Sequence, residues 1–214
     1  MYKIMCGIAV LLAVVLSGCD GVVMLHPLQE DDAWVVEPGL EGRWEEAGKE
    51  DPDYVEFTLD KTAYVVEAKF EDEGVLMFEG GVTKLGDKTF FCCVLDDSVM
   101  DRIDECLDTE LWKAYMIPVF DVVMLELKGD TLRAGLIEED WLKKQMKENT
   151  LGVEGTAMAD MLVLTAPSKD LRAFFTRLAG IEEAWEYTSP LHRVKKSKDN
   201  GTPAEAAAKD RSEP

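Results

Sequence analysis

The chain has 214 residues, of which 47% are hydrophobic and 31% charged, and its formal net charge is −20. This length allows one domain with a hydrophobic core, and the composition excludes a wholly disordered chain. The strong negative charge repels nucleic-acid phosphates, so we expect no nucleic acid among the partners. A solubilising acidic surface is the simplest reason for the charge, although basic proteins or divalent cations could also bind to it.

The first eighteen residues have the three-part layout of a secretory signal peptide. One cation, Lys3, precedes an apolar stretch from Ile4 to Leu16, and small residues follow it. This stretch is shorter than the roughly 20 residues that span a bilayer, which disfavours a permanent transmembrane helix. We therefore predict that residues 1–18 are removed before Cys19.

The four residues Leu16-Ser17-Gly18-Cys19 resemble the lipobox of bacterial lipoproteins. Small side chains at 17 and 18 would let a peptidase approach the backbone, and the Cys19 thiol would receive a diacylglyceryl group. Each buried methylene contributes about 0.8 kcal/mol, so two or more acyl chains on Cys19 would anchor the protein stably to a membrane. Asp20 resembles an inner-membrane retention signal of enteric-type bacteria. We therefore expect a lipid-anchored protein of the bacterial cell envelope, with the inner membrane slightly favoured.

Residues 19–39 form an arm that departs from the polar tether usual in lipoproteins. Apolar runs at 22–25 and 34–36 flank an acidic patch at 30–32. Because burial of apolar side chains is favourable, we predict that part of this arm packs on the domain or lies near the membrane surface.

From residue 40 onwards, short segments rich in β-branched and aromatic residues predict a series of strands, the first at Gly42-Arg43-Trp44. The glycines at 80 and 81 predict a bulge or bend. The turn Lys128-Gly129-Asp130 predicts a hairpin between the strands at 119–127 and 131–137. The strands after the first are predicted at 54–58, 62–70, 75–84, 88–95, 119–127 and 131–137.

Two helices are predicted after these strands. The first covers 138–148, where an acidic first turn and a basic last turn complement the helix dipole. A further strand is predicted at 161–165. Pro167 then introduces a second helix over 168–179, which Gly180 ends. The inward face of the second helix would consist of Leu171, Phe174, Phe175 and Leu178.

The order of these elements predicts a mainly β fold with accessory helices. Successive strands with short turns favour an antiparallel meander that forms a barrel or half-barrel, with two short helices over an open side. We place a single β-rich domain at 40–192. A disordered tail follows at 193–214, where six basic and four acidic side chains lie in a polar sequence.

Gly42-Arg43-Trp44 resembles the Gly-x-Trp motif of lipocalins, whose Trp packs across the barrel floor. A broader likeness covers most of residues 40–180, through 123–132, 139–142 and 164–175. These segments resemble a group of uncharacterised bacterial lipoproteins with a lipocalin-like domain and no assigned activity. The resemblance implies an apolar ligand cavity and makes Trp44 a candidate ligand-contact or barrel-floor residue. Burial of Trp44 in an ordinary core is the simpler alternative.

Three cysteines would remain free of lipid in the mature protein, at Cys92, Cys93 and Cys106. Adjacent residues on a strand point to opposite faces, and an exported protein meets an oxidising compartment. We therefore predict one disulfide between Cys106 and either Cys92 or Cys93, worth roughly 2–4 kcal/mol. A redox or metal-binding thiol pair is the weaker alternative because the sequence contains no Cys-x-x-Cys.

No catalytic constellation is evident from the sequence. The two histidines, His26 and His192, lie far apart in the sequence, and no spacing fits a catalytic triad, a zinc site or a phosphate-binding loop. The acidic segment 96–110 departs from the Ca²⁺-loop pattern, which leaves weak cation binding as a minor hypothesis. We predict neither enzymatic activity nor a cofactor or metal. The expected function is contact with other envelope proteins; the alternative is lipocalin-like binding of a lipid or other apolar ligand.

Overall fold

The computed structural model describes residues 21–29, 33–48, 52–70, 74–96, 118–158 and 161–195. Strands make up most of the regular structure in these ranges. In chain order the elements are β1 (Gly21–Met24), β2 (Gly42–Glu46), β3 (Tyr54–Asp60), β4 (Ala63–Phe70), β5 (Gly74–Leu85), β6 (Lys88–Leu95), β7 (Asp121–Lys128), β8 (Thr131–Ile137), α1 (Glu139–Glu148), β9 (Gly155–Met158), β10 (Met161–Leu164), α2 (Ser168–Leu178), a 3-10 turn (Glu182–Ala184), β11 (Trp185–Tyr187) and β12 (Leu191–Arg193).

Eight of the strands form a closed antiparallel barrel. Strands β2 to β8 pair in chain order, and β12 closes the ring because it pairs with β8 on one side and with β2 on the other. The predicted mainly β fold with a lipocalin-like barrel and two short helices is therefore confirmed. The barrel is complete rather than half-formed, and the helices pack on its outer surface instead of covering an open side.

The two ends of the barrel differ in their connections. Two-residue turns at 61–62, 86–87 and 129–130 join strand pairs at one end, which we call the turn end. The opposite end, which we call the loop end, carries the longer connections, including those from β2 to β3 and from β6 to β7. Gly129 has a positive φ of 61°, which glycine adopts without a steric penalty. The hairpin predicted at this turn is therefore present.

A second layer packs on the outward face of β5, β6 and β7. Strand β1 pairs in parallel with β10, and β10 pairs antiparallel with β9, which makes a small three-stranded sheet. Helices α1 and α2 complete this layer. Its buried side chains, which we call the outer cluster, include Met24, Leu28, Phe90, Cys92, Met124, Leu142, Leu164, Leu171, Phe174, Phe175, Leu178 and Trp185. All four residues predicted for the inward face of α2 therefore lie in the outer cluster.

Both helices begin and end for local reasons. The Glu138 carboxylate accepts hydrogen bonds from two backbone N–H groups of the first turn of α1, and Asn149 ends that helix in the left-handed conformation with a φ of 54°. Helix α2 follows Pro167, which lacks the N–H that a first turn would leave unpaired. The observed helices agree with the predicted ranges 138–148 and 168–179 to within one residue at each end.

The N-terminal arm is part of the domain. Residues 21–24 form β1, which pairs with β10, so part of the arm at 19–39 packs on the domain, one of the two outcomes predicted for it. Further along, Val35 forms a bridge with Val82, on the edge of β5 that β4 leaves uncovered. The folded domain therefore starts at β1 and not at residue 40.

Gly80 and Gly81 were predicted to form a bulge or a bend, and they do not form a bulge. The register of β5 with β4 and with β6 continues unbroken through both residues. A Cβ atom at Gly81 would overlap the Trp34 indole, and one at Gly80 would overlap the Cys92 carbonyl. These positions therefore need glycine because other groups approach the backbone closely.

The C-terminal boundary also differs from the prediction. Strand β12 includes Arg193, so the fold continues into the segment 193–214 that we predicted as a disordered tail. Residues 196–214 lie outside the described ranges. Among the described residues, no helix is both long enough and apolar enough to cross a membrane.

Candidate functional site

Trp44 closes the barrel core near the turn end. Its side chain is completely buried, and its indole Nε1 donates a hydrogen bond of 2.9 Å to the Leu40 carbonyl. The Arg193 guanidinium carbon lies 4.1 Å from the centre of the indole ring. Arg193 also donates to the Glu41 carbonyl at 2.6 Å and lies 3.4 Å from the Asp130 carboxylate. Trp44, predicted as a ligand-contact or barrel-floor residue, is thus a buried residue of the barrel core with a cation stacked on its ring.

The segment 34–41, which we call the strap, runs across the turn end. The Glu37 N–H donates to the Tyr64 hydroxyl at 3.1 Å, and the Glu37 carboxylate pairs with Lys84 at 2.9 Å. Leu40 is completely buried against the barrel core. Together with the strap's bridge to β5, these contacts fix it over the ends of the strands.

A pocket of about 230 Å³ lies between the strap, the β5–β6 turn and the end of β7. This volume is below the roughly 300–1,000 Å³ usual for ligand pockets. The pocket suits water or a very small molecule, and a lipid is too large for it. It has an apolar floor of Leu40, Leu125 and Leu127, with Thr89 beside them, and a charged rim of Glu37, Asp87, Lys88, Glu126 and Lys128.

Three aromatic rings fill the turn-end half of the barrel interior. Phe57 and Phe91 lie edge to face with their centroids 5.5 Å apart, and Tyr64 packs on both rings at 6.2 and 6.4 Å. All three side chains are buried. An acyl chain could not pass these rings towards Trp44 without displacing them. The apolar cavity implied for the neighbourhood of Trp44 is therefore occupied by the protein's own side chains.

The interior is built differently towards the loop end. The inner faces there carry the small residues Ala68 and Cys93, both of them buried. Asp121, the first residue of β7, is the register partner of Cys93. Because side chains alternate along a strand, Asp121 faces the same interior as Leu125, a residue of the barrel core.

Asp121 is a buried acid without a partner among the described residues. Its side chain is 9% exposed, and burial alone raises its pKa from 3.8 to about 7. Within the described ranges, no side chain forms an ion pair or hydrogen bond with this carboxyl group. We did not single out Asp121 from the sequence. The sequence feature that could have identified it is an acidic residue within a strongly apolar strand. By the alternation of a strand, this residue lies on the same face as Val123 and Leu125.

Cys92 and Cys93 lie on opposite faces of β6, as the alternation predicts. Cys92 belongs to the outer cluster and Cys93 to the barrel core. Burial raises the pKa of Cys92 to about 12, and burial together with the Asp121 charge raises the pKa of Cys93. Both are free thiols. This contrasts with the bridge predicted from one of them to Cys106, which lies outside the described residues.

The other predicted site residues are not brought together. His26 and His192 are both exposed, in the arm and in β12. In the described part of the chain, no group of three or more His, Cys, Asp or Glu residues could hold a metal ion. The lipobox residues Leu16 to Cys19 lie outside the described ranges, as does the acidic segment from 97 to 110.

No family model, curated protein or solved structure matches this chain. The likeness to lipocalins therefore stands at the level of the fold, through the closed barrel and the position of Trp44. A fold of this kind carries many unrelated functions, so the function has to be argued from the residues themselves.

Proposed function

We propose that the protein is a lipid-anchored lipoprotein of the bacterial envelope, and that its barrel acts by contact with other envelope proteins while held close to the membrane. The main support is the short distance in sequence between the lipid and the fold. Strand β1 begins at Gly21, two residues after Cys19. Two residues span at most about 7 Å, so a barrel attached in this way stays at the bilayer surface.

The attachment of β1 to the rest of the domain is firm. Each of its four residues has a register partner in β10. Met24, which is completely buried, exchanges backbone hydrogen bonds of 2.9 and 2.8 Å with Phe120, directly before β7. A lipid on Cys19, two residues before β1, would therefore hold the barrel wall close to the membrane.

A polar network holds the arm further along. Arg172 of α2 donates to the Leu28 carbonyl at 3.5 Å, to the Gln29 side chain, and to the buried Thr83 hydroxyl at 3.2 Å. Helix, arm and barrel therefore meet at one guanidinium. Such a rigid attachment suits a domain that presents a fixed face at the membrane.

Metabolic labelling with palmitate tests the anchor. We expect the wild-type protein to take up label and the Cys19→Ala variant to lose it. Cys6→Ala is the matched control, because Cys6 lies within the same signal segment and should leave labelling unchanged. Persistent labelling of Cys19→Ala would overturn the proposed anchor.

Crosslinking in cells tests the contact function. The wild-type protein should give reproducible crosslinks to one or a few envelope proteins. A twelve-residue Gly/Ser linker inserted between Asp20 and Gly21 should weaken them, because the barrel could then leave the membrane surface. The same linker inserted after residue 195 is the control. Crosslinks without any reproducible partner would count against this function.

Binding of an amphiphilic or apolar ligand in the loop-end half of the barrel is a second candidate function. The small inner side chains Ala68 and Cys93 and the buried Asp121 carboxyl favour it. Native mass spectrometry of the protein purified from the envelope provides the test. A protein that carries no bound molecule, and takes up none from added lipid or amphiphile, would refute this second candidate.

A further inference from the structure

Among the described residues, no side chain around Asp121 carries a positive charge that would neutralise its carboxylate. Its strand neighbour Cys93 is a poorly acidic thiol, and the next inward residue of β7 is Val123. A carboxylate in an apolar interior is unfavourable unless it is paired or hydrogen-bonded. Buried acids of this kind are more frequent at functional sites than elsewhere.

The neighbouring elements supply no cation either. On β6, Cys93 and Cys92 interact electrostatically with Asp121, and each would be neutral or negative. Beyond the end of β8 comes Glu138, whose carboxylate is engaged in capping α1. Met24 of β1 pairs beside Asp121 and is apolar. Every described group facing Asp121 is therefore neutral or acidic.

The loop end as a whole favours a positively charged guest. Glu46 ends β2 at this end of the barrel, and the buried Asp53 directly precedes β3. The chain carries a formal net charge of −20. Such a field concentrates cations near the loop end and disfavours anions such as fatty acids.

We infer that the loop-end half of the barrel binds an organic amine, with the ammonium group paired to the Asp121 carboxylate and an apolar portion against the small inner side chains. A single protein carboxylate is a poor site for a metal ion, which takes several ligands, whereas one carboxylate suffices to pair with one ammonium. This inference deepens the second candidate function, ligand binding in the barrel, and is independent of the lipid anchor.

The test uses three probes of equal chain length and different charge: octylamine, 1-octanol and octanoate. The protein is the chain from residue 19 onwards carrying Cys19→Ser, which needs no detergent. Calorimetric titration at pH 8 should show octylamine binding at least tenfold more tightly than either other probe. Asp121→Asn should abolish this preference. Asp87→Asn, which removes an exposed acid at the turn end, should retain it.

Two further readouts distinguish ligand binding by Asp121 from a purely structural role of this residue. Near pH 7, octylamine binding should release protons, since the ammonium favours the ionised form of Asp121, and Asp121→Asn should release none. Thermal unfolding should show that Asp121→Asn remains folded. Equal binding of octylamine and octanol would overturn the amine site and leave apolar ligand binding standing. A preference for octanoate would likewise overturn the amine site and leave amphiphile binding standing. Binding of none of the three probes would overturn both.

Discussion

Replacement of Asp121 by Asn should stabilise the protein at pH 8 and change its stability little at pH 4. In the folded protein the pKa of Asp121 is about 7, against an ordinary value of 3.8. Between these values the folded state holds a proton that the unfolded state has released. Stability contributed by this group is therefore fully present below about pH 4 and is lost as the pH rises to about 7.

The size of the effect follows from the difference between the two pKa values. Each pKa unit corresponds to 1.36 kcal/mol, so a shift from 3.8 to about 7 amounts to about 4 kcal/mol at full ionisation. Asn has nearly the same shape and does not ionise. The difference in unfolding free energy between Asp121→Asn and wild type should therefore rise from near zero at pH 4 to at most about 4 kcal/mol above pH 7.

Urea unfolding of both proteins at pH 4, 5, 6, 7 and 8 measures this difference. The comparison cancels the titration of the other carboxyl groups, which both proteins share. Asp87→Asn, at an exposed turn, should follow the wild-type curve. A difference that stays constant with pH would refute the reasoning. So would an Asp121→Asn variant less stable than wild type at pH 8, because Asp121 would then be ionised and paired with a cation.

Two further predictions concern close packing and the thiols. Gly81→Ala should destabilise the protein by about 1–3 kcal/mol in urea unfolding, because the new methyl overlaps the Trp34 indole. In a Trp34→Ala background the same substitution should cost less stability. Strictly additive losses in the double variant would argue against the contact. Cys92 and Cys93 should react with a thiol reagent only after unfolding, because both are buried with raised pKa values. The denatured, acylated protein should then show three free thiols, whereas one would mean that Cys106 is disulfide-bonded to one of them.

Several features of the fold could be predicted because their causes are local. The β7–β8 hairpin follows from two apolar strands and the glycine at 129, and helix α2 follows from Pro167 and the apolar spacing that ends before Gly180. The positions of Cys92 and Cys93 on opposite faces of β6 follow directly from the alternation of side chains along a strand. In each case the deciding residues are close together in the sequence.

The missed strands have a different origin. Strands β11 and β12 contain three residues each, too few to show a period. Strand β1 contains four, and its pairing with β10 depends on residues 140 positions away. The same applies to the candidate site. The acid at 121 can be read from the sequence, but its lack of a partner among the described residues depends on the strands around it.

The sequence by itself determined strands β2 to β8 and β10, both helices, the barrel class, the inner position of Trp44 and the signal-like segment that makes Cys19 the proposed anchor. Periodicity, turn residues and helix caps act through neighbours along the chain, so they are visible without a structure. Only the tertiary structure decided that β12 closes the ring, that the arm is built into the domain, and that aromatic rings occupy the turn-end half of the interior. These outcomes depend on contacts between residues that are distant in sequence. The packing of the same residues also determines whether Asp121 faces a partner or an apolar interior.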